Sequence, residues 1–309
     1  MKTYNLIIVD DDEVIRKNLV NYLTRFHKAE CKLTVDSAES AAAALNLMQK
    51  SAYDLAIIDI NMPEESGFDL VEKVHRLYPE TRTAMITAYK VEDYLKLTRE
   101  KGVSNIIVKT APFNFNELSK VINGLLMPEK YLLGLSNHLE KGSELNSYII
   151  DGSDSIAKIQ SILRECMISL NVPNIELLCI ALLEAITNAL YHAPRTLSGQ
   201  RKYERGDIVQ KLDSEDSIEI HYGWDKEKLG ISITDHSGNL TRDDVLYWLE
   251  RNVTGTNILD TSGRGFYLMH CIVDRLIINI QPLKITELIF IIYLKDTYSG
   301  HKPIYINEL

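Results

Sequence analysis

Asp10 and Asp11 follow the run LIIV, Asp59 follows LAII, Thr87 follows TAMI, and Lys109 follows NIIV. Each run is almost wholly apolar, as parallel strands covered on both faces require. In such sheets the carboxyl ends of the strands border one crevice, so these polar groups are expected to meet there. Three carboxylates within a few Å repel by several kcal/mol at low effective dielectric unless a divalent cation sits among them. Mg2+ suits that place, because it takes oxygen ligands and keeps waters that a phosphoryl group can replace. Asp59 is then placed as a nucleophile that becomes an aspartyl phosphate.

A second group of residues lies further along the chain. In LLEAITNALYHA, Glu184 and Asn188 stand one turn apart on a helix whose other contacts are Leu182, Leu183, Ile186 and Leu190. A carboxylate and a carboxamide at that spacing can hold, respectively, a hydroxyl to be deprotonated and a Mg2+ bound to triphosphate. The run ISITD delivers Asp235, followed by Ser237 and Gly238, and SGRGF puts Gly263 and Gly265 at a helix start. Glycines there let backbone N–H groups approach phosphate.

The elements that must position these groups form two patterns. Residues 4–126 alternate short strands with helices, predicting a doubly wound α/β sheet. Residues 144–295 predict an α+β sandwich: a strand near Tyr148 to Ile150, helices over about Asp154 to Leu170 and Asn174 to His192, and then SIEIHYGW and LGISITD as an antiparallel pair. A helix, a glycine-bearing loop, another helix and the strands LIINI and ELIFIIYL complete it. The polar stretch 194–216 reads as a mobile insertion, 127–143 as a linker and 296–309 as a tail. A length of 309 residues fits two domains. The net charge of -9 argues against a nucleic-acid partner. Four scattered cysteines fit neither a zinc cage nor a disulfide framework and point to a reduced compartment. With no long apolar run and with acids at positions 10 to 13, the expectation is a cytoplasmic protein that does not cross a membrane.

The first group resembles the receiver domain of two-component response regulators, a flavodoxin-like fold, over residues 1–126. VDDDEVIR supplies Asp10 and Asp11, with Asp12 as a helix cap; IIDINMPEESG supplies Asp59, the Asn61 carbonyl, Pro63 and Gly67; TAY supplies Thr87; and Lys109 completes the set. The resemblance implies phosphorylation of Asp59 by an upstream histidine kinase or phosphotransfer protein. It implies Mg2+ held by Asp11, Asp59 and the Asn61 carbonyl in the acidic pocket with Asp10, and phosphoryl oxygens bound by Thr87 and Lys109. Receivers usually follow the lysine with a proline in a cis bond, whereas here Thr110 follows. A cis non-proline bond costs about 3 to 4 kcal/mol, so either strain is stored or the loop differs. The commonly aromatic switch position on the fifth strand is Ile106, so an aromatic rotamer flip is not the relay.

The second group resembles the ATPase fold shared by histidine kinases, gyrase and anti-sigma-factor serine kinases, most closely the last. The motifs are EAITNALYHA, a short lid, GRGFYLMHCIVDRL and TELIFIIYL. The resemblance implies ATP with Mg2+, Glu184 as general base, Asn188 as metal ligand, Asp235 as acceptor of the adenine amino group, and Thr286 as its supporting hydroxyl. Gly238 belongs to the adenine-side turn, and His192, Gly263, Arg264 and Gly265 would lie near the phosphates. The chain has HSGN after the adenine aspartate, where the family commonly has glycines or prolines. The expected activity is a receiver-gated protein serine/threonine kinase acting on an anti-anti-sigma-type partner. The alternative is an ATP-dependent partner switch that captures a sigma factor or antagonist without chemistry. A homodimer fits either. The space between the halves is too short for a dimerising helical hairpin, so His138 reads as a solvated linker histidine, not a phospho-acceptor.

Overall fold

A computed structural model describes residues 2–25, 31–196, 198–253, 264–295 and 300–308. The chain divides into two compact units, Met1–Lys130 and Tyr131–Leu309.

The first unit alternates β1 (Lys2–Val9), α1 (Glu13–Thr24), β2 (Cys31–Ala38), α2 (Ala41–Met48), β3 (Leu55–Asp59), α3 (Gly67–Leu77), β4 (Arg82–Thr87), α4 (Leu95–Glu100), β5 (Asn105–Val108) and α5 (Phe115–Leu126). The strands are parallel in the order β2-β1-β3-β4-β5. Leu6, Ile7, Ile8, Leu55, Ile57, Ile58, Met85 and Ile106 are fully buried, as apolar parallel strands under two helical layers must be. Side chains at the helix starts satisfy amides that have no intrahelical partner. Asp12 accepts from the Val14 and Ile15 amides, Ser66 from Asp69, and Asn114 from Glu117.

A turn of helix, α6 (Pro128–Tyr131), leads into the second unit. There β6 (Leu145–Ile150), α7 (Ser153–Ser169), α8 (Ile175–Tyr191), β7 (Ile218–Trp224), β8 (Lys228–Asp235), α9 (Arg242–Val253), α10 (Gly265–Ile272), β9 (Arg275–Gln281), β10 (Ile285–Tyr293) and β11 (Ile304–Glu308) follow. The strand order is β11-β9-β10-β8-β7-β6. All pairs are antiparallel except β11 with β9. Helix α8 packs on β7 and β8, and α10 packs on α8.

Three segments differ from the sequence expectation. Within 127–143, Leu132, Leu135 and Leu139 are buried against the sheet. A Cβ on Gly230 of β8 would lie 2.6 Å from a Leu135 methyl, so glycine lets this segment lie close on the strand. His138 is half-buried there. The polar stretch 194–216 is docked rather than mobile. Val209 exchanges hydrogen bonds with Ser153 at 2.8 and 3.0 Å, the Leu212 amide donates to the Asp151 carbonyl at 2.7 Å, and both side chains are buried. Two apolar anchors in a polar run suffice to hold it. Residues 304–308, expected in a tail, form β11, with Ile304, Tyr305 and Ile306 buried.

The segment over the sheet is fastened by buried polar groups. The Glu287 carboxylate accepts from the Gly134 amide, at 3.0 Å to Oε2, and from Asn279 Nδ2 at 3.0 Å. Asn279 Nδ2 also donates to the Leu132 carbonyl at 2.7 Å, and Asn307 donates to Asn279 Oδ1 at 2.8 Å. Burial pushes the Glu287 carboxyl above its ordinary value, while the hydrogen bonds from Asn279 and Gly134 oppose that shift. A raised carboxyl binds protons more readily in the folded state, so its contribution to stability falls as pH rises above about 4.5 and through the raised value. Glu287→Ala, which strands these donors, is expected to lower stability by about 1 to 3 kcal/mol at pH 5. Glu287→Gln should remove part of the decline between pH 5 and pH 8. Denaturant titrations of the three proteins check this, and a Gln variant that tracks wild type at both pH values contradicts it.

Candidate functional site

The first sheet changes direction of growth between β1 and β3, and the acids collect at the carboxyl ends of those strands. Asp10 and Asp59 are buried, and Lys109 Nζ lies 2.9 Å from an oxygen of each. Asp11 stands exposed beside them, and ligand oxygens of the three acids lie within 4.8 Å of one another. One ammonium against three carboxylates leaves two negative charges, which a divalent cation balances. Burial pushes the Asp59 carboxyl up, Lys109 opposes it, and the Asp10 charge adds to it. Burial acts to lower the Lys109 ammonium, but its hydrogen bonds and charge interactions with Asp59 and Asp10 outweigh this and hold it high.

The close approach around Asp59 requires Gly67, since a Cβ there would sit 2.0 Å from the Asp59 carbonyl oxygen. Thr87 is fully buried; its Oγ1 accepts from the Tyr89 amide at 3.1 Å and donates to Asn61 Oδ1 at 3.5 Å. Tyr94 donates to the same Asn61 oxygen at 3.0 Å, a contact that no spacing announced. After Lys109 the peptide to Thr110 is trans, and the cis bond joins Ala111 to Pro112. The loop thus differs from the usual receiver pattern, and Thr110 Oγ1 ties it together by donating to the Pro112 carbonyl at 2.7 Å and accepting from the Asn114 amide at 3.1 Å. Ile106 is fully buried.

In the second unit α8 carries Glu184 and Asn188 one turn apart. The Glu184 carboxylate lies against the start of α10, where a Cβ on Gly265 would be 2.6 Å from Oε1. Arg205, which the sequence did not single out, reaches Glu184 Oε2 at 3.2 Å. Asp235 ends β8 in register with Thr286 of β10. Its Oδ1 accepts from the Ser237 amide at 3.0 Å and the Ser237 hydroxyl at 2.5 Å, so the serine of HSGN caps the aspartate. Burial, opposed by Ser237, pushes the Asp235 carboxyl up. Gly238 is required by its φ of +55° and by the Gln281 carbonyl, 2.3 Å from where a Cβ would lie. Asn239 donates to the Ala193 carbonyl at 2.8 Å, joining the Asp235 turn to the end of α8 beside His192. His192 is half-buried; burial first, then Arg201 and Arg205, pushes its imidazole down. Thr286 Oγ1 is buried with no hydrogen-bond partner among the described residues. Arg264 immediately precedes α10. Gly263 and the lid expected before it lie outside the described residues.

Residues 6–123 match the model of the response regulator receiver domain. The sensory transduction protein LytT of Enterococcus faecalis is 31% identical over 158 residues, which cover 49% of this chain and 60% of LytT. The response regulator protein PilR of Pseudomonas aeruginosa is 31% identical over 122 residues, 40% of this chain and 26% of PilR. The structure of the chemotaxis protein CheY4 of Vibrio cholerae is 28% identical with a TM-score of 0.36, covering 40% of this chain and 99% of that one. The chain spans less than two thirds of the length of either curated relative. Residues 6–123 are a response regulator receiver domain. The pocket of Asp10, Asp11 and Asp59 offers oxygen donors alone, as the Mg2+ site of a receiver requires. No helix among the described residues is long and apolar enough to cross a membrane.

Removing one partner from a buried ionic cluster leaves uncompensated charge. Lys109→Ala is expected to cost about 3 to 5 kcal/mol without metal at pH 7, with part of the loss restored by Mg2+. Asp11→Ala should abolish the Mg2+ response and leave metal-free stability unchanged or raised, because a repelling carboxylate is gone. Thermal melts with and without Mg2+ check both, and metal-free Lys109→Ala as stable as wild type contradicts the charge balance.

Proposed function

We propose that phosphorylation of the receiver on Asp59 controls an ATP-binding output formed by residues 131–309, and that this output is a protein serine/threonine kinase acting on an anti-anti-sigma-type partner. In the first step an Asp59 oxygen attacks phosphorus, the bond from phosphorus to the donor breaks, and an aspartyl phosphate forms. Bound Mg2+ neutralises charge on the phosphoryl oxygens. Asp11, Asp59 and the Asn61 carbonyl are the residues to hold it, with Asp10 completing the acidic pocket. Thr87 and Lys109 take the phosphoryl oxygens, which requires Thr87 to turn from Asn61 and Lys109 to loosen from Asp59.

In the output, Asp235 accepts the adenine amino group and Thr286 supports it, with Gly238 shaping the turn beneath. Arg264 and Gly265 line the phosphates beside His192, Asn188 serves as Mg2+ ligand, and Glu184 deprotonates the acceptor hydroxyl. The observation that carries this reading is the buried Thr286 hydroxyl, which has no hydrogen-bond partner among the described residues although its residue pairs in register with Asp235. An unpaired buried hydroxyl costs free energy, and a ligand that supplies the missing bond recovers it. Glu184 against a glycine at a helix start further favours a phosphate-bearing ligand. A second reading, an ATP-dependent partner switch without chemistry, is favoured by the Arg205 ion pair, which occupies the candidate base.

Asp235→Asn is expected to weaken ATP and ADP alike by about tenfold or more, the scale of a hydrogen bond to a charged group. Asn188→Ala should weaken Mg-ATP more than ADP, because Asn188 would hold the Mg2+ that accompanies the triphosphate. Calorimetric titration checks the roles, and equal losses in both variants contradict them. Transfer of labelled γ-phosphate to a partner, lost in Glu184→Gln, supports the kinase; ATP binding without transfer supports the switch.

A further inference from the structure

The insertion between α8 and β7 places arginines at the phosphate end of the proposed nucleotide site. Its first part is a small hairpin in which Arg195 and Arg201 are antiparallel bridge partners, the Lys202 amide donates to the Pro194 carbonyl at 3.2 Å, and the Thr196 amide donates to the Gln200 carbonyl at 2.8 Å. Its base is fixed to α8 by the Tyr191 hydroxyl, which donates to the Asp207 carbonyl at 3.0 Å, and to the start of α7 by Val209 and Leu212. Arg195, Arg201 and Arg205 are exposed in a chain of net charge -9.

The charges in this hairpin are unbalanced. Lys202 is neutralised by Asp213, Glu215 and Asp216 at 2.7 to 3.3 Å. Arg195 and Arg201 make no ion pair among the described residues, and like charges directly opposite each other on paired strands destabilise the pair. Arg205 reaches back to Glu184, and burial and the charges of Arg201, Arg205 and Arg195 together push down the imidazole of His192, one turn beyond Asn188. An anion between these groups removes the repulsion.

We infer that Arg201 and Arg205, assisted by Arg195, bind the terminal phosphates of a nucleoside triphosphate, and that the Arg205–Glu184 ion pair is a latch that the arriving phosphate opens. This rests on the reading of residues 131–309 as a nucleotide site. The energetic ordering favours the exchange. The Arg205 side chain is 61% exposed, and ion pairs of that kind are weak, whereas a phosphate takes guanidinium groups through paired charged hydrogen bonds. Once Arg205 turns to the phosphate, Glu184 is freed to act as a base. The same contact therefore keeps the base occupied until triphosphate is present.

The test is titration of full-length wild type, Arg205→Ala, Arg201→Ala and Asp235→Asn with adenosine, ADP and ATP in the presence of Mg2+. Both arginine variants are expected to lose affinity for ATP by about tenfold or more, to lose less for ADP, and to bind adenosine within about twofold of wild type. Arg205→Lys, which keeps the charge and loses the fork, should fall between. Arg205 is exposed, so its truncation leaves the core intact, and unchanged adenosine binding certifies the fold. ATP binding within about twofold of wild type in both arginine variants, while Asp235→Asn loses all three ligands, overturns the inference and leaves the nucleotide site standing. A wild-type protein that binds none of the three overturns the nucleotide site and the inference together.

Discussion

An incompletely neutralised charge cluster governs the receiver. Parallel topology delivers Asp10 and Asp59 to one crevice, apolar strands and helices remove most of the water, and Lys109 supplies a single ammonium between them. The remaining deficit would favour a divalent cation held by Asp11 and Asp59, whose charge would also suit a phosphoryl group in the pocket. Other local features serve this geometry. Gly67 permits the chain to pass over the Asp59 carbonyl, and the Asp12 cap starts α1 directly after the acidic pair. Tyr94 and Thr87 converge on Asn61 and hold the side of the pocket where phosphoryl oxygens would arrive.

The second unit depends on strand alternation in β10. Thr286 faces the Asp235 end of β8, and its neighbour Glu287 points to the opposite face, where it holds Gly134 and, through Asn279, Leu132. Those residues lie a few positions after α5, the last helix of the receiver. The segment around Leu132 to Leu135 is thus fastened to the strand that carries Thr286. The carboxylate at position 287 is costly to bury, and the hydrogen bonds it makes offset that cost only while the segment stays in place.

Much of the receiver was legible because its chemistry is tied to strand ends. Apolar runs locate the strands, and the polar residue after each run falls in the crevice without further information, as Asp10, Asp59, Thr87 and Lys109 do. Asp12 and Asn114 were legible for the same local reason, since capping depends on a few neighbouring residues. The clamp was not legible: Glu287 and Asn279 belong to strands, and only tertiary packing decides that their partners are Gly134 and Leu132. The insertion was misjudged because average polarity hides two anchors, Val209 and Leu212, that are enough to dock it. Arg205 was missed since its relation to Glu184 spans a docked loop with no periodicity. The departure after Lys109 was visible as Thr110, yet only the backbone located the cis bond at Ala111–Pro112.

On the proposed function, the acidic pocket and the nucleotide site are two ends of one equilibrium. The direct measurement is the dissociation constant of Mg-ATP for the full-length protein with and without beryllofluoride, which occupies Asp59 as a phosphoryl group would, using Asp59→Asn as the control. Coupling of about 1 to 3 kcal/mol predicts a change of about fivefold or more in either direction, absent in Asp59→Asn, and an equal reciprocal effect of nucleotide on beryllofluoride binding. A ratio within about twofold of unity in wild type would contradict it and leave the two units merely joined in one chain.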